Sequence, residues 1–195
     1  RLERAKFELR DLMRISRGDR LGIVAFAGVS FVQCPLTLDF RALNLYLSDL
    51  KPGMLPVGGT NIGDALNIAM DSLEKSSELE TSGQAIILIS DGEDQGQLVT
   101  KAINRAKKAK IKIFTIALGS TKGTPIPLKQ GGFKKDKRGN VVLTKTNPKA
   151  LEKIARLTGG AAMYSQTGQL KLEELYTTVI KDSLEASSIK EDNIK

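Results

Sequence analysis

The chain of 195 residues has no histidine, no tryptophan and one cysteine, Cys34. Without histidine it lacks the ordinary general base near neutral pH, the usual partner of a nucleophilic serine or cysteine, and the commonest zinc ligand. Ser-His-Asp and Cys-His chemistry cannot be assembled from these residues alone. A single cysteine forms no internal disulfide and leaves the redox compartment open; it reads as a small apolar filler. Aromatic residues make up 5% of the chain. None interleaves with the basic residues of KAINRAKKAKIK (101–112), and only Phe133 opens GGFKKDKRGN (131–140), so no base-stacking platform is built there. Acidic residues are outnumbered 22 to 30 by Lys and Arg, a net charge of +8. That balance suits an anionic partner, yet these stretches read as a solvated helix face and a charged hairpin tip. No nucleic-acid partner is expected; RNA binding through the two stretches would show a steep salt dependence. No apolar run is long enough to cross a bilayer.

What is present, 41% hydrophobic and 27% charged residues, is the balance of a globular domain with a sizeable core. The chain opens at RLERAKFELR without a methionine, which predicts a piece of a longer protein. One domain is expected over 1–188, with a polar, flexible tail over 189–195. Leu2, Ala5, Leu9, Leu12 and Met13 form a helical stripe, stopped at Gly18. LGIVAF (21–26) and SFVQCPLT (30–37) read as buried strands joined by a short hairpin turn. Pro35 makes the second an edge strand, or ends it. Helices follow at 41–50 and 61–76. AIILIS (85–90) is a buried strand, followed by a helix over 97–109 with Leu98, Ala102, Ile103 and Ala106 inward. KIFTIALG (112–119) is another buried strand. Residues 123–147 break the rhythm as an inserted β-hairpin with Arg138-Gly139-Asn140 in its charged tip. Asn147 and Pro148 start a helix as N-cap and first residue. GAAMYSQ (160–166) is the last strand. The final helix carries Leu172, Leu175, Tyr176, Val179, Ile180 and Leu184 on one face. Strands alternating with helices predict an α/β, Rossmann-like fold, a mainly parallel sheet with helices on both faces.

In such sheets ligands bind outside the carboxyl ends of the strands. There Asp91 follows AIILIS, and Thr60 closes VGGT just before the helix at Asn61. A carboxylate and a hydroxyl are hard oxygen donors, suited to Mg²⁺, Mn²⁺ or Ca²⁺ rather than zinc. Each also has an ordinary structural role available: Asp-Gly is a common turn and Thr before a helix a common N-cap. Glu93 and Asp94 read as solvated, or as favouring the next helix N-terminus, and Asp64 as serving the first turn of its own helix. VGGTNIGD could alternatively hold an anion at a helix start, the basis of a competing assignment as a nucleotide- or phosphate-binding α/β enzyme. Neither GxGxxG after a strand nor a Walker-type GK[ST] supports it.

GDRLGIVAFAGVSFVQCPLTLD (18–39), PVGGTNIGDAL (56–66), AIILISDGEDQG (85–96) and KIFTIALGSTKGTPIPL (112–128), in that order, resemble a von Willebrand factor type A (vWA) domain. The FAG, QCPLT and GTPIPL stretches resemble its bacterial aerotolerance (Bat-type) group. The resemblance implies a metal-ion-dependent adhesion site (MIDAS): Asp-x-Ser-x-Ser after the first strand, a Thr from a later loop and an Asp after the fourth strand. Thr60 matches that Thr and Asp91 that Asp; the Asp-x-Ser-x-Ser element and the central first strand have no match here. Mg²⁺, or Mn²⁺ or Ca²⁺, is therefore expected in the parent protein, with weak or absent binding by this chain. The chain by itself is expected to be marginal, to exchange elements with a neighbour, or to close LGIVAF directly onto AIILIS.

The function implied is a protein–protein interaction module, not an enzyme: a cation with an open coordination position binds an acidic side chain of a partner. The resemblance further implies a parent anchored in the bacterial inner membrane by helices absent here, with this domain facing the periplasm. Sibling vWA proteins and a MoxR-type ATPase are the implied partners.

Overall fold

The structure, a computed structural model, describes residues 2–16, 18–76, 83–93, 98–119, 123–125, 131–133, 135–136, 138–141, 143–144, 146–165 and 172–184. In chain order the elements are α1 (Leu2–Ile15), β1 (Leu21–Phe26), β2 (Ser30–Thr37), α2 (Phe40–Asp49), α3 (Ile62–Ser76), β3 (Ala85–Ser90), α4 (Val99–Lys108), β4 (Lys112–Leu118), β5 (Thr124–Pro125), β6 (Leu143–Thr144), α5 (Pro148–Thr158), β7 (Ala162–Ser165) and α6 (Leu172–Leu175). α6 continues through a π-helical stretch, Tyr176–Ile180. The tail expected over 189–195 and Asp94 lie outside the described residues.

β4 is the centre of the parallel sheet β3-β4-β7. Successive side chains of a strand point to opposite faces, and here both faces are covered. Ile113 and Ala117 join α3, α4 and α5 in one apolar cluster. Phe114, Ile116 and Leu118 join Leu12 of α1 and Leu172, Tyr176 and Ile180 in another. Double coverage explains why KIFTIAL shows no alternation of apolar and polar residues. Its one buried hydroxyl, Thr115, donates to the Leu151 carbonyl at 3.1 Å, so no polar group is stranded there. α5 starts as the sequence predicts, with the Asn147 side chain accepting the Ala150 N–H and Pro148 in the first turn.

β1 and β2 form a separate antiparallel hairpin, paired from Leu21↔Thr37 to Phe26↔Ser30, with register shifts around Ile23. Pro35 sits inside β2 and does not end it. Among the described residues β2 pairs only with β1, and an edge strand tolerates a residue that cannot donate.

The sheet is therefore in two pieces. Among the described residues no strand pairs with the second edge of β1, and none with the second edge of β3. A cavity of about 810 Å³ lies between them, lined by every residue of both strands and walled by α3 on one side and α1 and Tyr176–Leu184 on the other. The expected closure of LGIVAF onto AIILIS does not occur. β1 is instead tied to the chain leading into α3: the Ala27 carbonyl accepts the Asn61 N–H at 2.7 Å, and the Gly28 N–H donates to Val57 at 3.1 Å. Phe26 packs against the apolar cluster that includes Ile62, Leu66 and Met70 of α3. The same cleft corrects the expectation that LGIVAF is buried, since no residue of β1 is fully covered.

Two inward assignments also change. Leu98 precedes α4 as its cap residue and is exposed. Val179 falls in the π-helical stretch and is exposed, because the wider turn rotates it away from a face that the 3.6-residue period would share with Ile180.

The inserted hairpin is present as β5 paired with β6, with a further bridge between Lys135 and Val141. Asp136 organises its tip, accepting the N–H groups of Arg138 at 2.8 Å and Asn140 at 2.9 Å. These bonds, that from Asn140 first, hold its carboxyl below the ordinary carboxylate range. Such a group supports the fold fully above its unfolded pKa and loses that support as pH falls through the lower folded one. The Arg138 and Asn140 amide resonances should titrate with a midpoint below about 3.9, the value of an unperturbed Asp; a midpoint at or above it would contradict the assignment.

Candidate functional site at the end of the sheet

Three contacts fix which strand ends meet. The start of α3 touches the end of β1 through the Asn61–Ala27 hydrogen bond. It also touches the segment entering α4: a Cβ on Gly63 would fall 2.5 Å from the Leu98 carbonyl carbon. At the other end of α3, the Gln84 side chain, just before β3, donates to the Leu73 carbonyl at 3.2 Å. β1 and β3 therefore run the same way, and both finish beside the start of α3. Thr60 and Asp91 are brought to that one end, where both line the cleft.

The backbone holds each in place. Gly59 has φ +106°, a conformation that costs glycine nothing, and so turns the chain into Thr60. On the other side the Asp91 carbonyl accepts the Asn147 N–H at 2.7 Å. Gly92 follows with φ +76°, so close to α5 that an added Cβ would lie 2.3 Å from the Asn147 carbonyl oxygen.

The ordinary role available to Thr60 belongs to its neighbour. Asn61, not Thr60, supplies the side-chain oxygen that accepts the Asp64 N–H, at 3.1 Å, so α3 is capped without the threonine. This bond also satisfies one of the first-turn donors that an anion site would need. Asp91 makes the turn its sequence predicts, one carboxylate oxygen accepting the Glu93 N–H at 3.2 Å. Glu93 is partly buried in that turn, and Asp64 lies in the first turn of α3. The donors fit a hard cation in kind. In number they fall short of the roughly six to eight oxygens such ions take, and no cluster of three or more Asp, Glu, Cys or His side chains is present among the described residues. Cys34 is buried, its thiol pushed up by burial and then by Asp39, in keeping with a core filler.

One polar pair has no signal in the sequence. At the opposite end of the cleft the Tyr176 hydroxyl donates to the Asp19 carboxylate. Desolvation raises that carboxyl's pKa against the opposing charge of Lys181. Tyr176 reads in the sequence as one more apolar position of the final helix, and 157 residues separate it from Asp19.

The family model described as von Willebrand factor type A domain matches residues 6–177. An uncharacterised protein of Borreliella burgdorferi is 29% identical over 170 residues, which are 82% of this chain and 46% of that protein. The chain thus spans about half the length of the curated relative it matches. The crystal structure of the conserved hypothetical protein BatB of Bacteroides thetaiotaomicron is 28% identical, with a TM-score of 0.85 over 97% of this chain and 89% of that one. An aerotolerance-related membrane protein of Bacteroides fragilis, carrying multiple mutations to serine, is also 28% identical, with a TM-score of 0.80 over the same shares. At 18% identity and a TM-score of 0.62, over 95% of this chain and 40% of that one, a mussel byssus thread protein with a zinc-occupied MIDAS motif shares the fold.

The division of labour between Thr60 and Asn61 is measurable. Asn61→Ala should cost about 1 kcal/mol in chemical denaturation, as loss of an N-cap does, and Thr60→Ala a few tenths. Equal losses, or a larger one at Thr60, would return the threonine to the cap.

Proposed function

The chain belongs to the von Willebrand factor type A domain family, and on that premise we propose that it is a non-enzymatic protein-interaction module working through the Thr60–Asp91 end of its sheet. In the parent protein Asp91 supplies a carboxylate oxygen and Thr60 a hydroxyl to a hard divalent cation, Mg²⁺ or in its place Mn²⁺ or Ca²⁺, and donors from outside this sequence complete the shell. The cation supplies one open position that an Asp or Glu of the partner fills, a charge-assisted contact with strict geometry. The observation that carries this is the pair itself: a threonine released from capping duty by Asn61, and a carboxylate lining the same cleft.

A membrane setting is supported by the aerotolerance-related membrane protein among the similar structures. The Bat-type resemblance supports a parent anchored in the bacterial inner membrane, with this domain on the periplasmic side and sibling vWA proteins and a MoxR-type ATPase as partners. Among the described residues no helix is long and apolar enough to cross a membrane, so the anchor in this proposal lies elsewhere in the parent.

Mn²⁺ tests the site in this chain directly. Its paramagnetism should broaden amide resonances around Thr60 and Asp91 before any others, at millimolar rather than micromolar ion, and Asp91→Ala should abolish that selectivity. Broadening centred elsewhere and unchanged by Asp91→Ala would overturn the site. Micromolar binding in a calorimetric Mg²⁺ titration would overturn the incomplete shell.

A further inference from the structure

We propose that the inserted hairpin is a docking surface for an anionic lipid bilayer, resting on it with Phe133 and Val141 in the interface and Lys135 and Arg138 among the headgroups. The net charge of the chain is not spread over it. Residues 121–150 hold eight of the 30 Lys and Arg but one of the 22 acids, Asp136, so the other 165 residues carry 22 cations against 21 acids. The domain is close to neutral and its surplus sits in one excursion. That excursion is surface: every described residue from 131 to 141 is exposed. Its one acid is turned back on the tip, accepting the N–H groups of Arg138 and Asn140.

Apolar side chains stand among these cations. Phe133 is 50% and Val141 42% exposed. Val141 is bridged to Lys135, and residues opposite one another in an antiparallel pair share a face. Phe133 comes two residues before Lys135, the spacing that shares a face of a strand. One face of the hairpin thus combines an aromatic ring, a branched aliphatic and a cation. A bilayer surface has the matching layers, anionic headgroups outermost and acyl chains just beneath. Basic segments are drawn to those headgroups, and long cationic side chains keep their charge there while apolar neighbours go deeper. A nucleic acid or an acidic protein meets the charge but offers Phe133 and Val141 no apolar layer to enter. One aromatic also makes no row of stacking surfaces.

The hairpin leaves the sheet where β4 ends and returns at Asn147, whose N–H donates to the Asp91 carbonyl. It is therefore rooted at the end of the sheet that carries Thr60 and Asp91. The basic end of α4 lies at the opposite end, because Lys108 is followed almost directly by the first residue of β4. A parent anchored in a membrane, as proposed above, keeps the hairpin near such a surface, but the contact itself depends on neither the anchor nor the cation.

The chain contains no tryptophan, so Phe133→Trp places a single reporter on the hairpin. The 195-residue chain with this substitution is mixed, in the presence of a chelator, with vesicles of phosphatidylcholine alone or with an equal part of phosphatidylglycerol. It should cosediment with the anionic vesicles only, and less as salt is raised. Its indole emission should move to shorter wavelength and be quenched by lipids brominated on their acyl chains. Adding Lys135→Gln and Arg138→Gln removes two cations and spares the turn, which uses the backbone N–H of Arg138. The partition coefficient should fall about thirtyfold, the worth of two cations near an anionic surface. Lys107→Gln with Lys108→Gln removes the same charge from exposed positions at the far end of α4. It should leave partition within about twofold, because charges more than a Debye length from the surface are screened. No binding to the anionic vesicles at low salt would overturn the proposal. So would binding with the emission unshifted, as in a charge-only contact of the kind RNA or an acidic protein makes, and so would equal losses from the two pairs of substitutions. The chelator keeps this result separate from the cation site, since either can fail while the other stands.

Discussion

The structure depends on β1 and β3 being aligned without being bonded. They run in the same direction along one cavity, and the helices hold them there: α3 packs against Phe26 of β1 while Ile86 and Leu88 of β3 lie in the same apolar cluster. α1 and the last helix close the opposite face through Leu12, Tyr176 and Ile180, against which Ile87 and Ile89 pack. The layers are thus set by side-chain packing rather than by a continuous hydrogen-bonded sheet.

The same alignment produces the site. Because both strands finish beside the start of α3, the loop before that helix and the loop after β3 open at one end of the cleft. Asn61 caps the helix and bonds to the end of β1, leaving Thr60 to line the cleft. The Asn147 N–H and the crowded Gly92 pin Asp91. Position here is a backbone property, which is why a hydroxyl and a carboxylate far apart in sequence reach the same end of the sheet. At the other end Tyr176 and Asp19 join the last helix to the entry of β1, so the cleft is bounded at both ends by polar contacts.

Local chemistry made much of this legible in the sequence. The turn between β1 and β2, the Asn147-Pro148 helix start, the inserted hairpin and the largely apolar, non-alternating runs of β3 and β4 each carry their own signal. The position of Thr60 and Asp91 on one edge followed from α/β topology. What was not legible depends on the whole fold. The burial of β1 was overestimated because apolar content does not reveal whether a neighbour is in place. Leu98 and Val179 were placed inward by a 3.6-residue period that the cap and the π-helical stretch do not keep. The choice of Asn61 over Thr60 as cap turns on a one-residue shift that sequence preference does not resolve, and the Tyr176–Asp19 contact joins distant segments with no shared pattern.

The most direct test of a sheet in two pieces is the pattern of cross-strand nuclear Overhauser contacts in the free chain. The β3–β4 ladder from Ala85↔Lys112 to Ser90↔Ala117 should appear in full, and the β1–β2 hairpin with it. No backbone contacts should connect β1 to β3. A continuous ladder between Leu21–Phe26 and Ala85–Ser90 would contradict the account, because the two pieces of sheet would then be one.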